Sequence, residues 1–179
     1  MSVSSRRRIL LVPRDWDEMR KEVRIALAEW AYRESEWLYV FDVVLDRDAR
    51  EMIVELGYGT KYMEISEEVA LHVRELCDER GLSDEECEEL YERAYRDMLE
   101  EINSECVINV NRRVEYPEKG VVAEIYPIEC GGNYCFCGAG ITLRVSLEGV
   151  STVEEGVRRV VDAVKYAYDR IYSEIIAPH

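Results

Sequence analysis

The sequence predicts an α+β fold: a mainly antiparallel sheet of five to six strands packed against amphipathic helices, in the order β-α-β-β-α-α-β-β-β-α. Three observations predict it. Runs of alternating apolar and polar side chains come in groups joined by short polar turns, which favours antiparallel pairing. Between the groups lie longer segments whose apolar residues recur with the 3.6-residue helical period. No Gly-, Pro- or Ser-rich linker divides the 179 residues, so a single α+β domain over 1–179 is expected.

The elements follow in order. "RRRILLVP" (6–13) reads as a short strand stopped by Pro13. Asp15 reads as an N-cap, and Trp16, Met19, Val23, Ala26, Leu27 and Trp30 then fall at helical spacing to about Glu34. "WLYVFDVVLD" and "EMIVELGYG" flank the polar turn "RDAR" as a hairpin. The first run is apolar on both faces, which suits a strand that is central or covered on both sides. Ser66 reads as the cap of "EEVALHVRELCDER", which Gly81 ends. Ser83 with Glu86 three residues on forms a capping box for the next helix, whose stripe runs Cys87, Leu90, Tyr91, Ala94, Tyr95, Met98, Leu99, Ile102.

Three strands are then expected: "CVINVNRRVEY", "VVAEIYPI" and "ITLRVSL". "PEKG" joins the first two, and "CGGNYCFCGAG" joins the second and third. A last helix starts near Ser151 or Thr152 and carries Val153, Val157, Val160, Val161, Val164, Tyr168, Ile171, Tyr172 and Ile175 on one face.

A chain of this size buries roughly 70 % of the surface its unfolded form exposes, so it does not need a metal or a bridge merely to fold. Acids outnumber bases 38 to 23, for a formal charge of −15. Such a surface repels phosphate backbones and argues against a nucleic-acid partner. The basic cluster Arg6-Arg7-Arg8 flanks the first expected strand. There is no Gln, only four Asn, and 28 Glu. Avoided amides and heavy Glu are a thermophile-type composition, because amides deamidate when hot and ion pairs lose less to desolvation there. No apolar run approaches the ~20 residues of a membrane span. The expected setting is therefore cytoplasmic. Six cysteines in a cytosolic chain point to metal or chemistry, except in hyperthermophiles, whose intracellular proteins form disulfides.

The stretch "CGGNYCFCG" (130–138) is the most distinctive feature. Its flanks read as strands ending at Ile128 and resuming at Ile141, so the cysteines sit where a hairpin leaves the sheet and returns. Four readings stand. Cys130, Cys135 and Cys137 supply three ligands of a zinc clip, with Cys106, His72 or a partner chain as the fourth. Alternatively Cys130 bridges Cys137 or Cys135. A reactive thiol is the third reading, although Lys119 and Arg144 are the nearest cations in sequence. An inert Gly-rich loop is the fourth. Cys77 and Cys87 form a second candidate disulfide, one turn back from the bend on either side of the helical hairpin; packed free thiols are its alternative.

Asp42 interrupts an apolar strand, which is costly unless it is paired. Arg112 is a candidate partner, and an edge position facing water is the plainer account. His72 and His179 are the only histidines, so neither a multi-His metal site nor a Ser-His-Asp triad is expected. No G-x-x-x-x-G-K-[ST] or G-x-G-x-x-G occurs. Tyr91, Tyr95, Tyr168 and Tyr172 lie on apolar helix faces, in the core or at a subunit contact. The sequence thus favours a non-enzymatic protein- or ligand-binding module, as a homo-oligomer or with another protein. A thiol-based metal or redox site on the 130–137 loop is the alternative.

Overall fold

The computed structural model describes residues 11–63, 65–131 and 134–179. It is an α+β fold with the expected element order, apart from the first strand. Residues 6–10 of that expected strand, and the Arg6-Arg7-Arg8 cluster, lie outside the described residues. Pro13 opens a helix, where its missing N–H and fixed φ are suited to the first turn. That helix, α1, spans Pro13–Glu34. Asp15 sits at its third position, not at the cap, and its carboxylate accepts the Val12 N–H at 3.0 Å.

The remaining elements are β1 (Leu38–Asp46), β2 (Glu51–Met63), α2 (Ile65–Arg80), α3 (Asp84–Cys106), β3 (Arg112–Tyr116), β4 (Val121–Ile128), β5 (Tyr134–Ser146) and α4 (Val153–Ile171). The five strands form one sheet in the order β1-β2-β5-β4-β3. β1 pairs antiparallel with β2, with a register break between Val40 and Asp42, and β3 pairs antiparallel with β4. The apolar run of β1 was expected to be central in the sheet or covered on both faces; among the described strands it has β2 as its one neighbour, and its Phe41 and Val44 are exposed.

The chain gathers into two compact units. Unit 1 comprises Met1–Tyr58, Val110–Tyr126 and Gly140–His179. Its helices α1 and α4 pack on each other, and α1 packs on β1. Met19, Val23 and Leu27 of α1 and Val160, Val164 and Ile171 of α4 are fully buried, with Met52, Val54, Leu56, Ile141, Leu143 and Val145 from the strands. Each such Val, Leu or Ile contributes about 1.5–3 kcal/mol on burial. A Cβ at Gly156 would run into the Met19 side chain, so glycine there lets α4 and α1 approach closely. Trp30 meets Tyr168 edge-on at 5.3 Å.

Unit 2 comprises Gly59–Asn109 and Pro127–Ala139. It is built on the hairpin of α2 and α3. Gly81, at φ +60°, ends α2. Ser83 caps α3 by accepting the Glu86 N–H at 3.2 Å, and its hydroxyl donates to the Glu86 carboxylate at 3.0 Å. Ser66, expected as the cap of α2, falls one residue inside that helix. Its core is Val69, Val73, Cys77, Ile102, Cys130, Cys135 and Cys137. Gly59 matters here: a Cβ on it would strike the backbone of Cys137 and Gly138, where β2 and β5 run side by side. Charge divides unevenly. Unit 2 holds seventeen acidic and five basic side chains, a balance of −12, and unit 1 twenty-one and eighteen, a balance of −3.

Candidate functional site

All six cysteines are paired, in three disulfides that lie within unit 2. Cys77 joins Cys87 across the helical bend, with Cα atoms 5.9 Å apart. This is the pair that helical spacing singles out. Cys130 joins Cys135, one of the two partners its position suggests. Cys137 joins Cys106 instead of Cys130. Two local features account for that choice. First, α3 does not stop before Cys106 but ends on it, so this cysteine is the last residue of a helix and not the first of a strand. Second, β5 resumes at Tyr134 and not at Ile141, so Cys135 and Cys137 are strand residues.

In β5, Cys135, Cys137, Ala139, Ile141, Leu143 and Val145 share the two-residue period and are all buried. The two sulfurs therefore point to the covered side of the strand. The three sulfurs of the candidate zinc clip are divided between two bridges. Among the described residues no group of three or more His, Cys, Asp or Glu is placed to hold a metal. His72 is an exposed residue of α2. Lys119 and Arg144 are the cations nearest to the 130–138 stretch in sequence, and both are engaged in unit 1. Lys119 contacts Asp162 at 2.8 Å, and Arg144 contacts Glu51 at 3.6 Å.

One residue that sequence reasoning passed over organises the bridged region. Asn103, in the last turn of α3, accepts the Cys130 N–H at 2.7 Å and donates to the Cys130 carbonyl at 3.3 Å. Its amide thus pairs with one residue's backbone as a neighbouring strand would. The signal was present in composition: Asn103 is one of four amides kept in a chain otherwise stripped of them.

Asp42 is half-exposed and pairs with Arg24 of α1 at 3.6 Å, while its carboxylate also accepts the Val43 N–H at 2.9 Å. Arg112, a candidate partner, is an exposed residue of β3 paired opposite Ile125. The register break beside Asp42 turns this residue out of the strand's alternation. A hollow of unit 1, about 620 Å³, is lined by Ala28, Ala31, Tyr32, Leu38 and Val40, with Glu36 as the one carboxylate. It offers no paired acid and base.

A polar cluster of unit 1 fastens the turn after β3 to α4. Tyr166 donates to Glu118 at 2.5 Å, Arg170 stacks 3.7 Å over the Tyr166 ring, and Lys119 reaches Asp162. The Tyr166 hydrogen bond holds the Glu118 carboxyl below its ordinary range, and the same bond pushes the Tyr166 phenol up.

The second feature of unit 2 is what its longest helix leaves uncovered. α3 has 23 residues yet buries only Ile102, whereas α4 with 19 buries seven. Leu90, Tyr91, Ala94, Tyr95, Met98 and Leu99, the expected stripe, are each only partly buried. Tyr91 and Tyr95 stack one turn apart, with ring centres 6.1 Å apart. Among the described residues no helix is long and apolar enough to cross a membrane. No protein-family model, no curated protein and no solved structure matches this chain.

Proposed function

We propose that the chain is a non-enzymatic docking module that binds another protein through the half-covered apolar stripe of α3. One observation carries the reading: Leu90 to Leu99 keep helical apolar spacing without full burial. A stripe serving only the fold would be buried as the α4 stripe is. A side chain left half in water gives the fold only part of the ~1.5–3 kcal/mol that full burial supplies. Covering it with a partner recovers the rest, and tyrosine is among the residues enriched at such contacts.

The bridges support the same reading. Cys77–Cys87 and Cys106–Cys137 fasten the two ends of α3, so the helix is held rigid without a thick core beneath it. A pre-ordered surface loses less entropy on binding. The cysteines act here as fasteners and not as a redox or metal centre. Three bridges together with an amide-poor, Glu-rich composition suit the cytoplasm of a thermophile, where intracellular disulfides occur.

The partner is another protein and not a second copy. The α2–α3 hairpin carries fifteen acidic and four basic side chains, so two hairpins brought together would repel. Benzoylphenylalanine placed at Tyr91 is expected to give a discrete photo-adduct in extract of the source organism. The same label at Glu22, exposed on α1, is expected to give none. Equal yields at both positions, or no adduct at 91, would defeat the reading.

A further inference from the structure

We infer that the partner segment is a Lys/Arg-rich amphipathic helix seated in the groove between α2 and α3. This rests on the docking reading above and names the chemistry of what docks.

The groove has a volume of about 450 Å³. Its floor is Val69, Ala94 and Met98, and its rim is Glu68, Asp97 and Glu101, with His72 beside them. Positions 94, 97, 98 and 101 follow the spacing of one helix face, and 68, 69 and 72 that of the facing helix. Apolar floor and acidic rim therefore run together along both walls. The matching ligand is the inverse pattern: an apolar strip of side chains flanked by cations. A helix lying in a groove presents that pattern at i, i+3, i+4 and i+7. Met98 suits the role, since its flexible thioether adapts to different apolar shapes.

Charge decides among the occupants. The rim carboxylates are exposed, so a basic partner satisfies them at the edge of the contact without burying a lone charge. A second copy would set this rim against its own kind. Nucleic acid and anionic lipid surfaces carry the same sign as the rim and are repelled.

The probe is a labelled peptide of about 18 leucines and lysines with leucine at i, i+3, i+4 and i+7. The control is the same peptide with every lysine replaced by glutamate. Both are titrated against the oxidised full chain by fluorescence anisotropy. The lysine peptide is expected to bind, to weaken as NaCl is raised, and to lose about tenfold or more in affinity in a Glu68→Lys, Asp97→Lys, Glu101→Lys chain. The glutamate peptide is expected not to bind. Should the triple variant lose its helical signal, Glu101→Lys alone is used, with a loss of about threefold expected. Unchanged affinity in the charge-reversed chain, or equal binding of the two peptides, overturns the inference. So does a dimer of the free chain at micromolar concentration, which would make a second copy the occupant. Failure of the lysine peptide alongside a position-91 adduct sinks the basic helix and spares the docking reading; failure of both experiments sinks both.

Discussion

Asn103 makes two hydrogen bonds to the backbone of Cys130, from a helix to a loop that would otherwise have no regular partner. Replacing it with alanine leaves the Cys130 N–H and carbonyl to find water in a half-buried place. Each buried backbone group left without a partner costs about 1–3 kcal/mol. Asn103→Ala is therefore expected to lower the urea midpoint of unit 2, by roughly 2 kcal/mol in stability, with the slope unchanged. Exposed Asn109→Ala is the control and should leave the midpoint where it is. At this scale the sequence was only partly legible. Cys77 and Cys87 could be matched because both lie on apolar stripes a fixed distance from a bend. Cys106 could not be matched to Cys137, because residues 102–106 satisfy the helical period while Cys106, Ile108 and Val110 also alternate as a strand would. Only tertiary packing decides between those two periods.

At the level of elements, the short turn Pro117–Lys119 is fastened to α4 by Glu118 and Tyr166. Glu118 has its folded pKa lowered, so its contribution is present above the unfolded carboxylate value and is lost as pH falls through the folded one. Tyr166 has its folded pKa raised. Its contribution is present below the unfolded phenol value and is lost as pH rises through the folded one. Glu118→Gln is expected to flatten both limbs: a smaller fall in melting temperature between about pH 5 and pH 2, and a smaller fall above about pH 10. Thermal melts of both chains across pH check this; parallel curves would show that the contact does not couple to titration. The helices were the most legible elements because their stripes are long. Strand limits were the least. β5 begins seven residues earlier than its alternation suggests, since Gly138 and Gly140 hide the pattern that Cys135, Cys137 and Ala139 continue.

The whole molecule sets its three bridges in the unit that carries −12 of its −15 charges. Like charges crowded on one small unit favour its expansion. Closing loops of 10, 31 and 5 residues offsets this by about 2–4 kcal/mol per bridge on chain entropy. Full reduction is therefore expected to loosen α2 and α3 while α1 and α4 stay protected, and more so at ~10 mM salt than at ~1 M, where charges are screened within about 3 Å. Hydrogen exchange on the reduced chain reads this out; equal loss of protection in all four helices would refute it. The α+β class was legible because periodicity survives any tertiary detail. The division into units, which places most of the net charge on one of them, was not legible.

Cys135 and Cys137 occupy the same parity along β5 as Ile141, Leu143 and Val145. One added or deleted residue between 137 and 141 would turn both sulfurs outward while leaving the aliphatic half of the strand in place. Length changes in this ribbon must then come in twos, or bring their own kink. A lineage carrying this fold would vary there by even steps unless a bulge absorbs the odd residue, a rule set by the pleat of the backbone and not by any demand of binding.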